Sequence, residues 1–184
     1  MRAFEYIAVL LSIIISFAFA HLLNGIAHII EHGIKRYSLL LTHWIIWCLF
    51  LCVDYWFTIW HARDTAVWTL GYVSLLLTQG ALIYIAARLV VPVPTKDEPV
   101  DLSAFFDSHR RKFMGAIVLL ALVNEATNLT LEGFNTSRLG WLIVGWVLLF
   151  SAAFVWEDKR VQYGVAAANL AVTTYYAITF VPAL

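Results

Sequence analysis

Residues 38–61 read SLLLTHWIIWCLFLCVDYWFTIWH. The run is apolar for longer than the roughly 20 residues a helix needs to cross the hydrocarbon core of a bilayer. Its one formal charge is Asp54. At about 100° per residue, His43, Trp47, Asp54, Thr58 and His61 fall on one narrow stripe of such a helix. A charge deep in a membrane is costly unless it faces protein or water, so this stripe is expected to face the interior of a bundle and to mark a site.

Similar apolar stretches occupy residues 4–31, 66–91, 113–131, 139–156 and 161–182. A mean hydropathy of +0.81, with 62% hydrophobic and 13% charged residues, lies far from soluble domains, in which about a quarter of residues are charged. The fold expected is an all-α integral membrane bundle of about six transmembrane helices, a single domain over residues 1–184 with a cytoplasmic loop at about 92–112. The spans consume nearly the whole chain and leave no room for a soluble catalytic domain. No phosphate-binding loop, nucleophile elbow or dinucleotide fingerprint is present. The bilayer is the expected partner, and nucleic acid is not.

The net charge of zero hides an asymmetry. Lys35, Arg36, Arg88, Lys96, Arg110, Arg111, Lys112, Lys159 and Arg160 fall on one side of the alternating spans, and Arg2, Arg63 and Arg138 on the other. By the positive-inside rule, the loops after the first, third and fifth spans are cytoplasmic, and both termini face the periplasmic side of an inner membrane. The start of the chain imitates a secretory leader ending Ala18-Phe19-Ala20, but Glu5 argues against cleavage. Cys48 and Cys52, within a span, read as small packing residues rather than a disulfide pair.

Pro92 and Pro94 stop the third helix, and residues 103–112 read as a short interfacial helix running into the fourth span. Its cluster Arg110, Arg111 and Lys112 is placed to meet anionic lipid headgroups. Gly133 and Asn135 make the outer turn before the fifth span. That span, nearly free of polar residues, suits a lipid-facing or partner-facing position, as in a homo-oligomer or a larger membrane complex. A faint repeat aligns residues 22–28 with 122–128 and Gly33 with Gly133, as a 3+3 inverted repeat would. Tyr37, Trp60, Trp68, Trp141, Trp156 and Tyr163 lie near span ends, where aromatic side chains anchor at the membrane interface.

Four further polar stripes accompany the one around Asp54. The first span carries His21, Asn24, Gly25, His28 and His32; the third Tyr72 and Gln79; the fourth Asn124, Glu125, Asn128 and Glu132; the sixth Gln162, Asn169, Thr173 and Tyr176. By helical rise, His21, Asp54, Gln79, Glu125 and Thr173 lie near the midplane. The reading that follows is a small transporter or channel for protons or cations. Asp54 and Glu125 would share a proton, His21 would be their proton partner, and Asn24, Gln79, Asn124 and Thr173 would be neutral ligands. Hydrogen bonds that merely lock helices together are the plain alternative.

A rival reading uses histidines. His28 and His43 sit at similar depth on consecutive spans and could offer two imidazoles to a haem or a transition metal; no cofactor is otherwise expected. His28-Ile29-Ile30-Glu31-His32 also fits the H-x-x-E-H zinc pattern. A third reading is an accessory subunit of a membrane complex without chemistry of its own.

The first-span sequence Ala20-His21-Leu22-Leu23-Asn24-Gly25-Ile26-Ala27, the aromatic second span, and Asp101-Leu102 leading to His109-Arg110-Arg111-Lys112-Phe113 resemble an uncharacterised family of small bacterial polytopic inner-membrane proteins. The resemblance runs from the first span to the start of the fourth. It implies an all-helical bundle and a bacterial inner-membrane address, and it assigns no site residue.

Overall fold

A computed structural model describes residues 3–65, 67–92, 99–132 and 138–179. The described chain is helical almost throughout: α1 (Ala3–His32), α2 (Leu39–His61), α3 (Leu70–Val90), α4 (Leu102–Glu132), α5 (Arg138–Val155) and α6 (Lys159–Thr179). Four of these, α1 to α4, are long and apolar enough to cross a membrane. α6 has the length but not the composition, because its buried face carries Gln162, Asn169 and Thr173. Apolar side chains such as Val9, Ile13, Phe17, Ile46, Leu148 and Leu170 cover the outside while polar ones lie within. That inversion is expected of a bundle whose solvent is lipid.

Local chemistry sets the helix starts. Ser38 accepts from Leu41 N at 3.3 Å, Thr69 from Tyr72 N at 3.2 Å, and Asp101 from Ala104 N at 2.9 Å, each satisfying a first-turn N–H that has no partner within its helix. α1 ends on Gly33, whose φ of 79° is open to glycine at little cost and whose N–H returns to Ile29 O at 3.1 Å. The chain then pairs β1 (Ile34–Arg36) in parallel with β2 (Val100–Asp101). This two-stranded clip fastens the α1–α2 connection to the α3–α4 connection.

The fourth helix differs from expectation. α4 begins at Leu102 and continues unbroken to Glu132, so residues 103–112 belong to the spanning helix itself, and the loop expected at 92–112 is already over by residue 101. The turn assigned to Gly133 and Asn135, Lys96 in the preceding loop, and Arg2 lie outside the described residues.

Helices α2 to α6 form a ring in which each packs on the next and α6 returns to α2. α1 lies outside the ring against α2 and α3, where Gly25 permits the close approach of Val91. A 3+3 repeat would give α1 and α4 equivalent places, and this packing lends it no support. Cys48 and Cys52 are free and buried in the core, as packing residues should be. α5 buries Ile143, Phe150 and Ala153 between its neighbours and leaves Trp141, Val144, Leu148 and Val155 exposed.

Candidate functional site

All five ring helices contribute to one cavity of about 200 Å³, partly open at the surface. α2 supplies Trp47, Phe50, Asp54, Tyr55 and Thr58; α3 supplies Gln79; α4 supplies Asn124 and Asn128; α5 supplies Trp146 and Phe150; α6 supplies Tyr176. The side chains that line it are therefore drawn from helices whose sequence stripes share no local connection. Among the described residues, no Lys, Arg or His lies on its wall.

Two polar systems organise the wall. Gln79 Nε2 donates to Thr127 Oγ1 at 2.7 Å and to Asn124 Oδ1 at 3.3 Å, joining α3 to α4. Opposite, α2 and α6 run side by side in the same direction and meet through three contacts. Asn169 Nδ2 lies 3.4 Å from His43 Nε2, Trp47 Nε1 donates to Thr173 Oγ1 at 3.1 Å, and Tyr176 OH donates to Asp54 Oδ1 at 3.1 Å. Such bonds are favoured in a membrane because an unpaired polar group there has no water to turn to.

Below the cavity, toward the end of the bundle that carries β1 and β2, the space is filled. Trp44 meets Trp47, Phe113 and Phe150 with ring centroids 5.6, 5.7 and 6.1 Å apart, and Trp47 meets Phe150 at 5.2 Å. Trp44, Phe113 and Phe150 are essentially inaccessible. The cavity thus has a polar half and an aromatic floor.

Of the side chains expected on a proton or ion pathway, Asp54, Gln79 and Asn124 do line the cavity. Thr173 stands behind the wall and fixes Trp47. The other three lie elsewhere. Asn24 is exposed on α1, outside the ring, because the stripe of α1 that packs inward is Leu11, Ile15, Ala18 and Leu22. His21, also on α1, is half-buried with Nε2 unpartnered among the described residues. Glu125 is half-buried, with one carboxylate oxygen likewise unpartnered, and does not line the cavity. Asp54 accepts its hydrogen bond from Tyr176. Thr127, the tightest partner of Gln79, is the functional neighbour that stripe reading missed; its signal was the i+3 spacing from Asn124.

The histidines are arranged differently from the expected His28–His43 pair. His43 contacts Asn169, whereas His28 stacks on His32 with ring centroids 3.7 Å apart. Ligand atoms of His28, Glu31 and His32 all lie within 4.8 Å of one another at the end of α1. Two imidazoles and a carboxylate are a donor set that suits zinc and similar metals.

The basic cluster divides as well. Arg110 is only 5% exposed and turns inward, donating to Ala153 O at 2.6 Å, Trp156 O at 3.3 Å and Glu157 Oε1 at 2.8 Å. Gln162 Nε2 reaches the same two carbonyls, at 2.8 and 2.7 Å. Arg110 is thus a cap for the carbonyls that end α5, and not a lipid contact. Arg111 and Lys112 are exposed and remain available to headgroups.

Comparison with protein-family models, with curated proteins and with solved structures gives no match. The function is therefore argued from the cavity.

Proposed function

We propose that this chain is a small integral membrane transporter that binds a cation or proton at Asp54, within the cavity enclosed by α2 to α6. The observation that carries the reading is that, among the described residues, the cavity wall holds one carboxylate with neutral oxygen and amide groups and no basic side chain. An ionisable side chain inside a membrane bundle is a functional site by default, since packing alone would be served at lower cost by an apolar residue. Gln79, Asn124, Asn128 and Thr58 are the neutral ligands, and Tyr176 orients the carboxylate. The aromatic floor favours a carrier, exposed to one face at a time, over an open pore.

In this reading all six helices span the membrane. The β1–β2 clip and the Arg110–Glu157 ion pair gather the connections after α1, α3 and α5 at one end. Exposed Lys35, Arg36, Arg111, Lys112, Lys159 and Arg160 lie at that end and make it the cytoplasmic one, next to anionic lipid, with both termini on the outer face of a bacterial inner membrane. The apolar outer face of α5 serves a homo-oligomer or a larger complex.

The test is flux in proteoliposomes loaded with a pH-sensitive or cation-sensitive dye. Asp54→Asn should abolish uptake while Glu125→Gln, off the cavity, should leave most of it. Undiminished flux in Asp54→Asn would remove the proposal. A second reading, a metal-binding membrane subunit, is favoured by the His28, Glu31 and His32 group; it predicts bound metal that is lost with either histidine.

A further inference from the structure

Resting on the reading of the cavity as a cation site, we infer that its ligand is a small organic ammonium ion rather than a bare metal ion. Size is the first reason. A water in the liquid occupies about 30 Å³, so a space of about 200 Å³ has room for several waters or for one compact organic molecule, and far exceeds a dehydrated alkali ion. A site for such an ion would close oxygens tightly around it. Here Asp54, Thr58, Asn124 and Asn128 are four of the many residues of a much larger wall.

The rest of that wall is aromatic and aliphatic. Trp47, Phe50, Trp146 and Phe150 line the same space as Asp54. Ring faces carry negative potential and attract organic cations, whose N-bound methyl or methylene groups also lose less on leaving water than a strongly hydrated metal ion does. A carboxylate opposed to aromatic walls is the donor set an ammonium group requires: the acid neutralises the charge and the rings accept the carbon shell around it. Asp54 accepts from Tyr176 at Oδ1 and itself lines the cavity.

A second polar group narrows the class. The indole N–H of Trp146 is buried and unpartnered among the described residues, on a ring that lines the cavity. A buried donor without an acceptor is costly, so a ligand that fills the space should bring a hydroxyl, ether or carbonyl oxygen to it. The inferred ligand is an amine, primary to quaternary, bearing one hydrogen-bond acceptor a short carbon chain away. Charge at long range agrees. Most exposed cations lie at the end beyond the aromatic floor, and Arg63 at the other end lies over the ring of Trp60, so a positive ligand entering the polar half is kept from the main basic cluster.

The probe for the test is choline, which carries both a quaternary ammonium and a hydroxyl, set against tetramethylammonium, sodium and protons, on the full-length protein in lipid nanodiscs and in proteoliposomes. Radiolabelled choline should bind saturably at one site per chain, with tetramethylammonium competing more weakly and sodium not at all. Trp146→Phe should weaken choline by about tenfold while changing tetramethylammonium little, since it removes the N–H and keeps a ring. Asp54→Asn, checked for a monodisperse fold by gel filtration, should lose both. If sodium or proton flux depends on Asp54 but no ammonium probe binds at millimolar concentration, the inferred ligand class is overturned and the cavity reading stands. If Asp54→Asn alters neither ammonium binding nor any flux, the cavity reading itself falls, and this inference with it.

Discussion

Tyr176, near the end of α6, donates its hydroxyl to Asp54 Oδ1 at 3.1 Å across the α2–α6 seam. The ring of Tyr176 also meets Trp146 edge to face, with centroids 5.7 Å apart. Tyr176→Phe keeps that ring contact and removes the hydrogen bond. The expected loss is about 1 kcal/mol of stability, read by thermal unfolding in detergent. Cation uptake should also change, because the carboxylate loses the group that holds its rotamer. Unchanged uptake would mean that Tyr176 is a packing residue only.

Arg110 should be the more sensitive site for folding. Arg110→Met retains the aliphatic stem but takes the guanidinium away from the carbonyls of Ala153 and Trp156, leaving them Gln162, and should cost about 1–3 kcal/mol. Its ion-pair partner Glu157 is 79% exposed, so Glu157→Gln should cost under about 1 kcal/mol. Unfolding in graded denaturing detergent would compare the two. Equal losses would show that the salt bridge, and not the capping of α5, is what matters.

A crossing of α1 with the chain just after α3 depends on the absence of a side chain at Gly25. A Cβ there would run into the side chain of Val91. Gly25→Ala should destabilise by about 1–3 kcal/mol through overpacking, and Val91→Ala in the same chain should restore part of the loss. Additive effects in the double variant would place the two residues apart.

The end of α1 makes its own prediction. Incubation with zinc followed by desalting and elemental analysis should leave about one zinc per chain, a stoichiometry that a His₂Glu donor set can support. His28→Ala and His32→Ala should each abolish retention, and a chelator should strip the metal. His43→Ala should retain it, because His43 stands with Asn169 on a different pair of helices. Loss of zinc in His43→Ala would return the site to the pairing of His28 with His43.

Much of the cavity was legible before the fold was known. His43, Trp47 and Asp54 on one stripe and Asn169, Thr173 and Tyr176 on another are the partners that meet across the α2–α6 seam, since a membrane leaves polar side chains nowhere else to go. Asn24 and Glu125 misled for a related reason. Periodicity gives the angle of a residue on its own helix but not which helices surround it: α1, which carries Asn24, lies outside the ring, and Glu125, beside Asn124 on α4, is turned about 100° away from it. Arg110 deceived through composition: beside Arg111 and Lys112 it reads as one of a basic patch, and only the neighbouring end of α5 reveals what its guanidinium serves.

The helix that closes the ring is synthesised after the four it joins. Until α6 has inserted, α2 to α5 form an open trough in which Asp54 and the indole N–H of Trp47 face acyl chains instead of Tyr176 and Thr173. Those two groups give the unfinished bundle a reason to recruit its final helix, although α6 is too polar to be held by lipid partitioning as firmly as α1 to α4. Completion of the bundle should therefore hinge on α6. A truncation before residue 159 would leave a membrane-inserted but open intermediate, the kind of product that membrane quality-control proteases recognise and remove.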